Sequence, residues 1–506
     1  MEFEEVDLAP EAVRIHAADS VAVAVRPLAA GTEVSIGDTA LVLQEDVPAG
    51  HKFALHDIRA GDDVVKYGFT IGHAIQFIPK GAWVHSHNLK TNLDGTLSYR
   101  YEPAPREERA SGTAVPTFMG YRRANGRVGT RNEIWVLNTV GCVNTASDMI
   151  ARMARERLSS THVDGVYSFS HPYGCSQLGD DLVNTRRVLA GLMRHPNAGG
   201  VIVLGLGCEN NQMKDLLAEA GDVDSSRIRF FNAQDVEDEI ETGLDFVGEL
   251  AEVMAADRRE ACPVSDLVIG LKCGGSDGYS GITANPLVGR IADRITDYGG
   301  TAILTEVPEM FGAEQMLMNR AADETVFEAI VGMVNRFKEY FLAHGQPVYE
   351  NPSPGNKEGG LTTLEDKSLG ATQKGGRAIV TQVLEYGEPV RKKGLALLNA
   401  PGNDAVSSTA LTVSGAGVLL FTTGRGTPLG FPAPTVKIST NTRIAEKKSH
   451  WIDFNAGALL DGTKTMDELA DDLFQYILDV ASGRTLTKNE VHGVREIAIW
   501  KQGVTV

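Results

Sequence analysis

Over its first hundred or so residues the chain places apolar residues in short Val, Ile and Leu runs, cut by glycine and aspartate. The stretch "VAVAVRPLAAGTEVSIGDTALVLQEDVPAGHKFALHDIRAGDDVVKYGFTIGHAIQFIPKGAWVHSHN" leaves no span for an amphipathic helix. Short runs bounded by turn residues predict strands. The phrases "AAGTEV", "PAGHKF", "RAGDDV" and "PKGAWV" repeat one chemistry, a glycine turn followed by a strand. They predict one small β module rather than a solenoid.

A polar, proline-containing stretch follows, Tyr101–Phe118, and reads as a linker. From Arg131 the pattern changes. "NEIWVLNTVGC", "GVYSFSHPYGC", "AGGVIVLGLGC" and "SDLVIGLKCGG" are strand-like runs ending at a turn. Between them "TASDMIARMARERL", "DDLVNTRRVLAGLMRH" and "QMKDLLAEAG" carry helical spacing. Such alternation predicts an α/β region with mostly parallel sheets, whose functional groups collect at strand carboxyl ends. The polar segment "NPSPGNKEGGLTTLEDKSLGATQKGG" lacks apolar periodicity and is expected to be a functional loop or a domain connection. The expected organisation is a β module over 1–102, a linker over 103–117, an α/β region over 118–385 and a C-terminal α/β part over 386–506.

Bulk composition narrows the function class. With 506 residues, 42% hydrophobic and 23% charged, the chain can bury a large core in about two to four domains. No apolar run is long enough to span a bilayer. The formal charge of −18 disfavours nucleic acid as a partner. The acidic opening "MEFEEVDLAPEAVRIHAAD" is not expected to be a leader. Five sparse cysteines argue for a reducing, cytoplasmic setting and against a disulfide framework.

Those cysteines also carry the first chemical signal. Cys142, Cys175, Cys208 and Cys273 each end an apolar run at a turn, whereas Cys262 does not. Four thiolates at one sheet edge would suit iron or zinc, although each alone is equally well a packed small hydrophobe. In "VHSHN", His85 and His87 share one face of a strand, and His16 and His51 lie near turns of the same module. His171, Tyr173 and Cys175 crowd one strand end. Arg122, Arg123, Arg127 and Arg131, and separately Arg425 in "TTGRGTPLG", sit among glycines where a carboxylate or a phosphate could be held.

At these residues the sequence resembles the altronate/galactarate dehydratases. "YRRANGRVGTRNE", "FSHPYGCSQLGDD", "GLGCENNQ", "CGGSDGYSGITANP", "LTEVPEMFGAEQ", "YENPSPGNKEGG" and "FTTGRGTP" carry the resemblance, which covers essentially the whole chain. "VHSHN" points to the altronate branch. One departure is Ala371, where the family pattern has a further cysteine.

The resemblance implies an N-terminal SAF-type β-clip, a catalytic α/β region and a hydro-lyase of hexuronate breakdown. The implied reaction is conversion of D-altronate to 2-dehydro-3-deoxy-D-gluconate, and the implied cofactor is a divalent metal, ferrous iron or alternatively manganese. Galactarate or another hydroxy acid is the alternative substrate, and a non-catalytic sugar-acid-binding protein is the alternative class. A homo-oligomer is expected. On this basis the metal is expected among His85, His87, Cys175, Cys142, Cys208, Cys273, His16 and His51. An iron–sulfur cluster is the alternative centre. His171, Tyr173, Asp277 and Glu309 are expected to do acid–base work, with Glu209 a further carboxylate. Arg127, Arg131, Asn132, Ser276, Arg425 and Thr427 are expected to bind substrate.

Overall fold

Gly31, Gly50, Gly61 and Gly81, one from each repeated turn phrase, all take φ between 81° and 89°. A side chain there would cost about 1–2 kcal/mol, so the repeated glycines are conformational requirements. The computed structural model describes residues 11–37, 39–104, 114–158 and 162–503. Most of the expected linker, residues 105–113, lies outside the described residues.

The turns connect small antiparallel sheets. Strands Val21–Ala24, Lys52–Ala54 and Trp83–Val84 lie side by side. Glu33–Ile36 pairs with Thr39–Val42, and Phe69–Ala74 pairs with both Asp63–Lys66 and Leu89–Lys90. This is the β module predicted from the sequence.

A parallel four-stranded sheet follows, in the order Gly165–Ser168, Glu133–Asn138, Ala198–Gly205, Ile228–Asn232. Alternation along Glu133–Asn138 sends Ile134 and Val136 into one core with Ile150 and Leu250. Trp135 and Leu137 enter another with Val188 and Leu419. That second core joins this sheet to a seven-stranded parallel one, with strands in the order Val380–Leu384, Gly394–Leu398, Thr301–Leu304, Val268–Cys273, Val418–Thr423, Thr435–Ser439, Phe454–Asn455. Helices Gly179–Met193 and Asp404–Val413 pack together between the sheets. Their final turns meet, since a Cβ on Gly191 would strike Val413. The two helices therefore start at the same end of the molecule, where the strands of both sheets finish.

Two features differ from the expected organisation. The four-stranded sheet is complete by Asn232, while the larger sheet draws strands from both sides of residue 386. The division of the α/β region thus falls between helix Glu239–Met254 and strand Val268–Cys273, not at 385. The polar 351–376 segment is also largely helical, with Pro354–Glu358 and Leu364–Ala371. Every residue of Leu364–Ala371 is buried, polar ones included, so the helix has no apolar stripe to betray it.

Candidate active site

The central strand Val268–Cys273 ends in a lysine and a cysteine, both buried. Successive residues of a strand point to opposite faces. Lys272 meets Glu306 and donates to Asp404 Oδ1 at 2.8 Å. Cys273 Sγ donates to Glu309 Oε2 at 3.0 Å and accepts from Lys374 Nζ at 2.8 Å. Lys367 Nζ lies 2.8 Å from Glu309 Oε1 and also donates to Asn351 Oδ1 (2.9 Å) and Asn356 Oδ1 (3.2 Å). Ligand atoms of Glu306, Cys273 and Glu309 all lie within 4.8 Å of one another, so three ammonium groups, three carboxylates and a thiol form one cluster.

Glu306 and Glu309 come from the turn after strand Thr301–Leu304. Glu306 holds a left-handed backbone, φ 70°, uncommon for a residue with a side chain. Such strain gathers at functional sites. Glu309, Lys367, Asp404, Gly274 and Arg425 line a cleft of about 850 Å³. Asn351, Ser353 and Asn356 of the partly helical polar segment form its other wall.

Environment separates the two carboxyls. Burial, then the charge of Glu309, pushes Glu306 well above the usual carboxylate range. Burial would raise Glu309 too, but Lys367, Lys272 and Lys374 outweigh it and hold Glu309 below that range. Burial, with Glu309 adding, pushes the Cys273 thiol up to about 12. Titratable neighbours driven apart in this way mark acid–base sites.

Among the described residues, one group of three or more candidate ligands has donor atoms within 4.8 Å of one another: Cys273, Glu306 and Glu309. Glu306 Oε2 is buried without a hydrogen-bond partner, so one donor is uncommitted. A thiolate with two carboxylates suits a divalent ion such as ferrous iron. Uptake would require Cys273 and Glu306 to lose protons and Lys374 to leave the sulfur.

The β module closes over this region. His51 Nε2 contacts the Glu358 carbonyl at 3.1 Å and His85 Nε2 the Lys357 carbonyl at 2.9 Å, their rings stacked at 5.1 Å. Lys52 and Lys66 both bond Asp366, at 2.8 and 2.9 Å, with all three side chains buried. The two histidines therefore seat the module on the cleft wall: the 357–358 carbonyls engage their Nε2 atoms, while Trp83 Nε1 and Ser86 Oγ engage the Nδ1 atoms of His51 and His85. The His87 ring lies tilted against Trp83, 5.2 Å between centroids, and exposed His16 accepts from the Ala18 amide. The expected histidine–cysteine metal centre is thus not assembled among the described residues; the module docks through backbone carbonyls.

Other expected site residues are dispersed. Arg131 forms a buried two-point pair with Glu490, Nε to Oε1 at 2.7 Å and Nη2 to Oε2 at 3.0 Å, so it is unavailable to a substrate. Asn132 is buried and bonds the His162 carbonyl and Arg123. Arg127 lines a separate cavity of about 680 Å³ with Arg123 and Arg194, beside Ala198 and Ile228 where strands begin. That cavity lies at the opposite strand ends from the cleft. Asp277 accepts from Thr440 Oγ1 (2.8 Å) and Ser280 Oγ (3.1 Å) beneath the cleft, and burial raises its carboxyl. The Ser276 carbonyl accepts from Asn356, while Thr427 Oγ1 receives the Leu429 amide. Arg425 stands at the cleft, donating to the Gly355 carbonyl at 2.7 Å.

His171 is buried against the Asn138 carbonyl, with Tyr173 stacked beside it. Glu209 is buried and bonds Thr139 and the Gly207 amide. Cys142, Cys175 and Cys208 lie exposed at the edge of the four-stranded sheet, not with Cys273. The site residues absent from the expectation are Glu306, Lys272, Lys367, Lys374 and Asp404. A signal for one was present: a lysine inside the apolar run "DLVIGLKC" is costly to bury unless paired.

Comparison with known proteins agrees along the chain. Residues 10–92 match the altronate/galactarate dehydratase SAF domain. Residues 120–255 match the D-galactarate dehydratase/altronate hydrolase second domain, and 264–505 the D-galactarate/altronate dehydratase C-terminal region. The chain is 54% identical to an altronate dehydratase of Escherichia coli K12, over 98% of this chain and 99% of the relative. It is 50% identical, with the same coverage, to an altronate dehydratase of Bacillus subtilis 168. A galactarate dehydratase (L-threo-forming) of Escherichia coli K12 shares 35% identity over 95% of each chain.

Proposed function

The chain belongs to the D-galactarate/altronate dehydratase family, and from that membership we propose a hydro-lyase that converts D-altronate to 2-dehydro-3-deoxy-D-gluconate and water. The observation that carries the mechanism is the Glu309–Lys367 pair on the cleft wall, backed by two further buried lysines.

The proton at C2 is weakly acidic because its loss adds a second negative charge to a carboxylate. Lys374, Lys272 and Lys367 supply fixed positive charge where that dianion forms, in a site shielded from water. Glu309 takes the C2 proton. Its carboxyl is low while the lysines support it, and its basicity rises as an incoming substrate carboxylate competes for the same ammonium groups. The C3–O bond breaks, Lys367 gives a proton to the departing hydroxide, and water leaves. The pair then holds neutral lysine and protonated glutamate. One transfer across the 2.8 Å contact restores both. The enol product tautomerises to the 2-keto acid.

Cys273, Glu306 and Glu309 Oε2 would hold a ferrous or manganous ion, leaving Glu309 Oε1 toward Lys367. When bound, the ion supplies Lewis-acid stabilisation to the substrate carboxylate. All five cysteines are free, which supports a reducing cytoplasm. Exposed Phe69, Ile75 and Phe77 on the β module support a homo-oligomer. None of the helices among the described residues is long and apolar enough to cross a membrane.

The test is an anaerobic assay of iron-loaded protein against a panel of aldonates and aldarates, galactarate included, reading keto acid. Altronate should turn over fastest. An inert altronate beside another active acid would overturn the substrate assignment.

A further inference from the structure

Cys142, Cys175 and Cys208 follow three neighbouring strands, Glu133–Asn138, Gly165–Ser168 and Ala198–Gly205, at their carboxyl ends. Adjacent strands run about 4.8 Å apart, so the three turns lie in contact. Hydrogen bonds stitch them together close to each thiol. The Gly141 amide donates to the Tyr173 carbonyl at 2.8 Å, and the Asn211 amide to the Gly174 carbonyl at 2.9 Å. The Ser176 amide donates to Asn210 Oδ1 at 2.8 Å, and Asn211 Nδ2 to the Thr139 carbonyl at 3.1 Å. A Cβ on Gly174 would sit 2.0 Å from the Thr139 carbonyl oxygen. Only glycine permits that approach.

All three thiols are exposed, unlike Cys262 and Cys273. None serves as core filling, the ordinary use of a free cysteine. They are not gathered as tightly as ligands of a single ion either. Among the described residues the only cluster of three or more ligand atoms within 4.8 Å is the one at Cys273. A polynuclear centre asks for wider spacing, because each thiolate binds a different metal.

We propose that Cys142, Cys175 and Cys208 hold an iron–sulfur cluster of the four-iron type, leaving its fourth iron without a cysteine ligand. Binding costs each thiol its proton, which passes to solvent. The cluster edge opens at the same end of the molecule as the cleft. Helix Gly179–Met193 begins just after Cys175, helix Asp404–Val413 begins on the cleft wall, and the two run to a shared end at Gly191 and Val413. The assignment stands on the cysteine geometry and does not depend on the substrate being altronate.

The experiment is anaerobic reconstitution of the full chain with equal amounts of ferrous and ferric iron and with sulfide, so that the ferric iron carries the two oxidising equivalents the resting cluster holds. The expected result is about four iron and four acid-labile sulfide per chain, with broad visible absorption that bleaches on reduction by dithionite. C142S, C175S and C208S should each lose that absorption while C273S keeps it, which separates this centre from the one at Cys273. Melting curves of the serine variants should match the wild type, because the thiols are exposed. Wild-type protein without labile sulfide, three thiols binding one zinc or ferrous ion, or a disulfide between two of them would each overturn the proposal. So would a cluster that survives all three substitutions together.

Discussion

Glu309 and Lys367 meet at 2.8 Å, one from the turn after a central strand, the other from a buried polar helix. The contact gives the site a carboxylate that stays ionised in a dry setting and an ammonium that keeps its proton. Removing the base by Glu309→Gln should lower kcat by about 10²–10⁴-fold, with a much smaller change in KM. A kcat within a few-fold of wild type would end the assignment of Glu309.

The same contact predicts a pH effect with a definite sign. Lys367 is the leading charge holding Glu309 below the usual carboxylate range. In Lys367→Gln that support is gone and burial acts with less opposition. The acid limb of the kcat/KM profile, which reports ionisation of the base in free enzyme, should move to higher pH. An acid limb that stays in place or moves lower would show that the two groups are not coupled in this way.

Asp366 ties the β module to the catalytic region through Lys52 and Lys66. Burial alone would raise its carboxyl, but the two lysines overcome this and hold it below the usual range. A depressed carboxyl adds stability that is present above its unfolded pKa, about 3.9, and is lost as pH falls through the folded value. Asp366→Asn should cost roughly 3–5 kcal/mol at neutral pH, because it strands two buried ammonium groups. Denaturant melts of wild type and variant should differ widely at pH 7 and converge as acid titrates Asp366. Equal midpoints at pH 7 would refute the role.

Much of the fold is visible in the sequence, and the reason is periodicity. "NEIWVLN" and "GVIVLGL" are apolar runs that only a doubly covered strand can bury, and the repeated glycine turns announce the β module. The helix Leu364–Ala371 is hidden because it is buried by polar contacts rather than by an apolar face. The site was partly visible for a similar reason. Cys273 and Glu309 stand in quotable motifs, but their lysine partners, Lys374 and Lys367, come from a separate segment 101 and 58 residues further along the chain. Nor could spacing alone separate Arg131, bound to Glu490, from Arg425 at the cleft.

Those arginines give contrasting expectations. Arg425→Ala removes a charged donor from the cleft and should raise KM by roughly tenfold, a charge-assisted hydrogen bond being worth about 1.5 kcal/mol. Arg127→Ala acts at the far strand ends and should leave kcat and KM within about twofold. Arg131→Ala should lower the melting midpoint instead, since buried Glu490 loses its two-point partner and keeps only the more distant Arg495, at 3.7 Å. A KM effect larger for Arg127→Ala than for Arg425→Ala would place the substrate in the wrong cavity.

Cys273 offers a reading of the metal centre that does not depend on turnover. Its thiol is held up to about 12 by burial and by Glu309, so without an ion it stays protonated at neutral pH. A divalent ion bound with Glu306 and Glu309 would reverse that, because metal coordination deprotonates a thiol outright. Cobalt serves as the probe, its thiolate complexes giving a sulfur-to-metal charge-transfer band. Cobalt titration of the protein, with the three exposed cysteines replaced by serine, should develop that band and release protons in step. Cys273→Ser in the same background should abolish the band while cobalt still binds more weakly through the two carboxylates. Tight cobalt binding with no such band would mean that the ion sits on oxygen alone and that Cys273 remains a thiol hydrogen-bonded between Lys374 and Glu309.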